Sequence, residues 1–158
     1  MPNSVICVNW GLLRGIVFIS TLLVSSSAFA ALGQDVSSVQ SDGVHMKAAV
    51  SVLPGQSYSV HEMRASTGTR VREFVSPAGH VFAVSWQGSS IPDLRQLLGQ
   101  YFDQYVQAAQ TTPRVQRRVV HIEAGDLVFE SGGHMRFIVG RAYLRDKLPN
   151  GVKADAIR

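Results

Sequence analysis

Three side chains have types suited to proton transfer. His80 and His134 each open an apolar strand directly after a glycine, and Glu73 lies in the strand before the first of them. Histidine titrates near neutrality. Two imidazoles beside a carboxylate would therefore make a small hydrolase-like site, or a pH sensor, if the two hairpins abut at one sheet edge. The plainer reading is turn chemistry, because glycine followed by a polar residue is an ordinary exit from a tight turn. His121 and Glu123 share one face of a strand, but two ligands are too few for a metal centre, and no H-E-x-x-H spacing supplies more. The sequence points to no cofactor and no metal. It has neither a G-x-S-x-G elbow nor a glycine-rich phosphate loop, since Gly132-Gly133 precedes a strand and not a helix.

A second set of residues suits binding. Arg70 and Arg72 alternate along one strand beside Glu73. Such alternation means either a solvated face with weak cross-strand ion pairs or an arginine-lined groove for a carboxylate or phosphate. Trp86 ends the next strand, where it would cap the core between strand and helix; stacking on a sugar would require an exposed ring. Arg114, Arg117 and Arg118 form the densest basic cluster. They read as a solvated loop or as a surface for anionic lipid or polysaccharide. No aromatic side chains interleave with them, which argues against nucleic acid.

The elements that must position these residues follow from periodicity. Two β-rich runs flank Ser76-Pro77-Ala78-Gly79, so residues 69–86 read as a hairpin. If Val75 faces His80, one face shows Val71, Val75, Phe82, Val84 and Trp86, and the other shows Arg70, Arg72, Phe74, Val81 and Ala83. A bulge near Gly79 would slip that register. Leu94, Leu97, Leu98, Tyr101, Phe102, Tyr105, Val106 and Ala109 then fall on a single helical stripe. Ser90 is a candidate N-cap with Asp93 as its capping-box partner, and Pro92 stands in the first turn. Gly99 inside the stripe implies close approach by a neighbour. The polar face of this helix holds one cation, which argues against a membrane-surface helix. Residues 58–63 read as a strand before the hairpin. Residues 118–123, 126–130 and 134–144 read as three more, with Ala124-Gly125 and Ser131-Gly132-Gly133 as turns. Gly140 in the last suggests a bulge or a close approach. The Gly79-His80 and Gly133-His134 pairs form a faint internal echo.

Residues 1–30 read as an export leader. Arg14 precedes the apolar run from Ile16 to Val24, and Ala28-Phe29-Ala30 offers small residues for cleavage before Ala31. The run is short for a bilayer span, which needs about 20 residues. No transmembrane segment is therefore expected after cleavage. The one cysteine, Cys7, would leave with the leader, so the mature chain would carry no disulfide and no thiol nucleophile. The leader holds one of the fifteen basic residues and none of the eleven acids, which leaves a mature charge of +3. Residues 31–55 read as a flexible arm with a short strand near 47–53, and residues 149–158 as a polar tail.

Several strings resemble an uncharacterised proteobacterial family, domain of unknown function 2844. They are Val71-Arg72-Glu73-Phe74, Gly79 through Trp86, Pro92-Asp93-Leu94, Leu97 through Phe102, Gly133 through Arg136, Gly140 through Leu144, and Leu148 through Val152. Gly88-Ser89 stands where the resemblance would lead one to look for Gly-Pro. The resemblance implies a small exported bacterial protein and carries over no activity and no catalytic residues.

Together these readings predict an α+β domain over residues 56–148: an antiparallel sheet of about six strands packed on one long amphipathic helix. The expected role is a periplasmic or secreted, non-catalytic binding or envelope-accessory module. Its partner would be an envelope protein or an anionic surface. The alternatives are a hydrolase using His80, His134 and Glu73, and a lipid or polysaccharide binder using Arg114, Arg117 and Arg118.

Overall fold

The structure is a computed structural model and describes residues 32–45, 47–111 and 119–158. The expected leader lies outside them. The elements are α1 (Ser37–His45), β1 (Val50–Leu53), β2 (Ser59–Arg64), β3 (Arg70–Val75), β4 (Val81–Gly88), α2 (Leu94–Leu98), α3 (Phe102–Thr111), β5 (Val119–Ala124), β6 (Leu127–His134) and β7 (Phe137–Leu144). The seven strands form one antiparallel sheet in the order β1-β2-β3-β4-β7-β6-β5. The short strand near 47–53 is real and brings the count from about six to seven.

The helical segment 94–111 covers one face of the sheet. Leu97 and Leu98 are fully buried, and Tyr101, Phe102, Tyr105, Ala108 and Ala109 pack on the same core as Val71, Val84, Trp86, Phe129 and Leu144. A buried leucine contributes about 1.5–3 kcal/mol, so this stripe alone justifies the amphipathic spacing. The segment is not one straight helix. Gly99 takes φ +50, and a single 3₁₀ turn, Gly99–Tyr101, joins α2 to α3. Glycine tolerates that dihedral without a Cβ clash, so the residue marks a break in the helix.

The N-cap is Asp93, not Ser90. The Asp93 carboxylate accepts from the backbone N–H groups of Arg95 and Gln96 at 2.9 and 3.2 Å. Ser90 is engaged elsewhere, with its hydroxyl 3.0 Å from that of Thr69.

The β3–β4 hairpin turns as expected, with Gly79 at φ +82. Its register differs from the expectation, because Val75 pairs with Val81 and Phe74 with Ala83, so Phe82 is bulged. The bulge turns Phe82 to the outer face with Phe74, and Val81 joins the helix-side core. These are the two residues of the hairpin whose expected faces are exchanged. At β6–β7 the turn is Met135–Arg136, not Ser131-Gly132-Gly133, and His134 pairs with Phe137. Gly133 is a strand residue at φ +140, where a Cβ would come 2.2 Å from the Phe137 carbonyl oxygen.

Both flanks of the expected domain are packed. In the stretch read as an arm, Leu32 and Val39 are buried in the main core, and the Leu32 and Gly33 N–H groups donate to the carbonyls of Leu97 and Val81. In the stretch read as a polar tail, Ile157 is buried, and Val152, with Leu148 just before the tail, joins it against Phe74, Phe82 and Ala83 on the outer face. Neither segment shows a regular apolar period, so its burial is set by tertiary contacts.

Candidate functional site

Two side-chain rows cross the outer face of the sheet, opposite the helix. Strand pairing places Glu62, Arg72, Ser85, Arg141, Glu130 and His121 in one row. It places Arg70, Gln87, Val139, Gly132 and Val119 in the next. These rows floor a groove of about 710 Å³ that is walled at one side by Ile157 and Arg158. That volume suits a small-molecule site, which typically holds roughly 300–1,000 Å³. Four strand spacings of about 4.8 Å separate β3 from β5, so the groove is about 19 Å long.

The two ends of the groove differ. At the β3 end the Nε atoms of Arg70 and Arg72 lie 3.3 and 2.8 Å from the two oxygens of Glu62. Two guanidiniums thus share one carboxylate. Arg72 also donates through Nη1 to the Arg158 carbonyl at 2.8 Å. Toward the β5 end, Arg141 donates to Glu130 at 2.5 Å and to the Ala154 carbonyl at 2.6 Å. The same two arginines therefore also fasten the C-terminal segment to the sheet.

A chain of charges continues past Arg141. His121 lies 3.1 Å from Glu130 through Nδ1 and 3.0 Å from Glu123 through Nε2. A neutral imidazole has one donor, so both contacts are hydrogen bonds at once only in the imidazolium form. Arg145 pairs with Glu123, and this pairing, with the His121 contact behind it, holds the Glu123 carboxyl below its ordinary range. These pairs are exposed and contribute little to stability.

Three of the sequence candidates, Arg70, Arg72 and Trp86, line this groove together. The Trp86 ring itself is 2% exposed and packs on Phe129 at 5.4 Å, so it belongs to the core and offers no platform for a sugar. Its Nε1 is buried without a hydrogen-bond partner among the described residues. Arg114, Arg117 and Arg118 lie outside the described residues.

The other candidates are not brought together. His80 stands at the β3–β4 turn, where it bridges to Asp35, and His134 stands at the β6–β7 turn, stacked on Phe137. Because β4 and β7 are antiparallel, with Ala83 opposite Tyr143 and Gly88 opposite Ile138, these turns lie at opposite ends of the sheet. At about 3.4 Å per residue the separation is about 25 Å. Glu73 is buried between His61 and Val84 on the helix side, away from both. Among the described residues no group of three or more His, Cys, Asp or Glu could hold a metal ion, and no helix is long and apolar enough to cross a membrane.

Arg141, Glu130, Ser85, Gln87 and Val119 are groove residues that the sequence reading did not single out. Strand alternation within residues 134–144 puts Arg141 on the same face as Phe137, Val139 and Tyr143, so it could have been read from the sequence.

A family model described as "Protein of unknown function (DUF2844)" matches residues 28–157. No curated protein and no solved structure matches the chain. With the match spanning the sheet, the helix and both packed flanks, the chain belongs to the DUF2844 family.

Proposed function

We propose that this is an exported bacterial, non-catalytic binding module of the cell envelope, and that its ligand lies in the groove on the outer sheet face. The observation that carries this reading is the β3 end of that groove, where two guanidiniums share the single carboxylate of Glu62. An incoming anion can take up the surplus donors, and guanidinium recognises a carboxylate or phosphate in a forked, directional way. Export is supported by the leader-like residues 1–30.

The test is to incubate the purified protein with the small-molecule fraction of a bacterial envelope extract and read retained ligands by native mass spectrometry. The wild type is expected to retain a discrete adduct that Arg70→Gln loses. Equal retention by both proteins, or none by either, overturns the reading. Protein recovered from the envelope fraction should begin at Ala31; protein found only in the cytoplasm and beginning at Met1 refutes the export half.

A further inference from the structure

The groove is polarised along its length, and that polarity specifies a ligand class. Resting on the binding reading above, we propose that the occupant is a single-chain carboxylate amphiphile, a fatty-acid-like molecule bound as a monomer. Its carboxylate lies on Arg70 and Arg72, and its chain runs across β7, β6 and β5. At the β3 end the two guanidiniums share the one side-chain carboxylate of Glu62, and Arg72 also holds the main-chain oxygen of Arg158. In the middle stand the neutral side chains of Ser85 and Gln87.

At the far end the second row consists of Val139, Gly132 and Val119, with no polar side chain among them. In the adjoining row Arg141 and His121 both pair with Glu130, so the charged groups of this half are engaged with one another. Val119 is 59% exposed and Val139 40% exposed, and Phe137 continues the same face of β7 at 43%. Exposed apolar groups contiguous with a groove mark a binding surface more often than chance exposure does.

A free inorganic anion would leave this apolar half unused. One extended chain fits the length of about 19 Å.

The full chain carrying Trp10→Phe leaves Trp86, which lines the groove, as the one tryptophan. Its emission is titrated with decanoate below its micelle threshold, hexanoate, decyl maltoside as a neutral amphiphile, and phosphatidylglycerol vesicles. Decanoate is expected to bind saturably, with affinity falling roughly fourfold for each methylene removed. Arg70→Gln is expected to weaken decanoate roughly tenfold and to leave decyl maltoside unchanged. Val139→Ser is expected to weaken decanoate and leave hexanoate unchanged. The leader is the same in every variant, so differences among them report the groove. Circular dichroism confirms that each variant is folded.

Hexanoate binding as tightly as decanoate, or vesicles binding where the monomer does not, overturns the amphiphile. So does indifference of decanoate to Arg70→Gln. If these probes fail while the envelope-extract adduct persists and still depends on Arg70, the ligand class falls and the binding reading stands. If both fail, both fall.

Discussion

Adding one methyl group at Gly140 should cost this fold about as much as truncating a core side chain. Gly140 pairs with Trp86 across β4 and β7, and an ideal Cβ there would lie 2.2 Å from Trp86 Cζ2 and 2.4 Å from Cε2. Carbon atoms in contact settle at about 3.5–4.0 Å, so the indole would have to move by more than about 1 Å. It has nowhere to go: Trp86 packs on Phe129, and Phe129 packs on Tyr105 of α3 at 4.5 Å. Overpacking of this kind costs about 1–3 kcal/mol, and so short a contact against a rigid ring belongs at the upper end. Alanine recovers about 0.5–1 kcal/mol against glycine in a strand. Gly140→Ala should therefore lose about 2 kcal/mol. Unfolding entropy of about 2.1 cal/mol/K per residue converts that to a fall of roughly 8 °C in Tm. Urea unfolding followed by circular dichroism, with calorimetry beside it, measures both. In a Trp86→Phe background the smaller ring leaves room, so the same methyl should cost less by more than about 0.5 kcal/mol. A neutral Gly140→Ala, or an equal cost in both backgrounds, would refute the account.

Two further outcomes follow from the flanks and the core. Ile157, in the C-terminal segment, is 1% exposed against the sheet, so Ile157→Ala should lose about 2–4 kcal/mol in urea unfolding; a loss below about 1 kcal/mol would mean that the segment is dispensable to the sheet. Burial pushes the His61 imidazole below its ordinary pKa. The unfolded chain then takes up this proton first, starting near pH 6.5. The stability tied to neutral His61 is present above that pH and is lost as pH falls through the lower folded value. His61→Gln should flatten the decline in Tm between pH 8 and pH 5, and an unchanged slope in the variant would rule out this contribution.

The parts of the fold that could be read from sequence are those with a strong local period. The stripe from Leu94 to Ala109 identified both the helix and the face it buries, because one amphipathic segment has one way to shed its apolar side. The hairpin faces were readable for the same reason, except at Val81 and Phe82. A bulge is set by how the strand must bend against its partner, and nothing in the local pattern of 81–82 marks the extra residue. Leu32, Val39 and Ile157 were hidden because they act singly. Val39 and Ile157 are single large apolar residues among polar or small ones, Leu32 follows the small residues of the expected cleavage signal, and only the surface each covers explains its burial. Gly140 carried a signal with the right meaning: of bulge and close approach, the unbroken register from Ile138 to Tyr143 leaves the close approach.

The site divides along the same physical line. Arg70 and Arg72 were visible because alternation on one strand places side chains on one face whatever lies beside that strand. Their counterparts across the groove required strand order, which no window of sequence contains. β7 lies next to β4 although 48 residues separate their facing ends, Gly88 and Phe137. That adjacency alone brings Val139 into the row of Arg70 and Arg141 into the row of Arg72. It also undoes the histidine pair. Two hairpins that look alike in sequence open toward the same end only if their strands run parallel, and β4 and β7 run antiparallel. The pairing that builds the arginine groove is therefore the same pairing that holds His80 and His134 apart, so a site using one constellation excludes a site using the other.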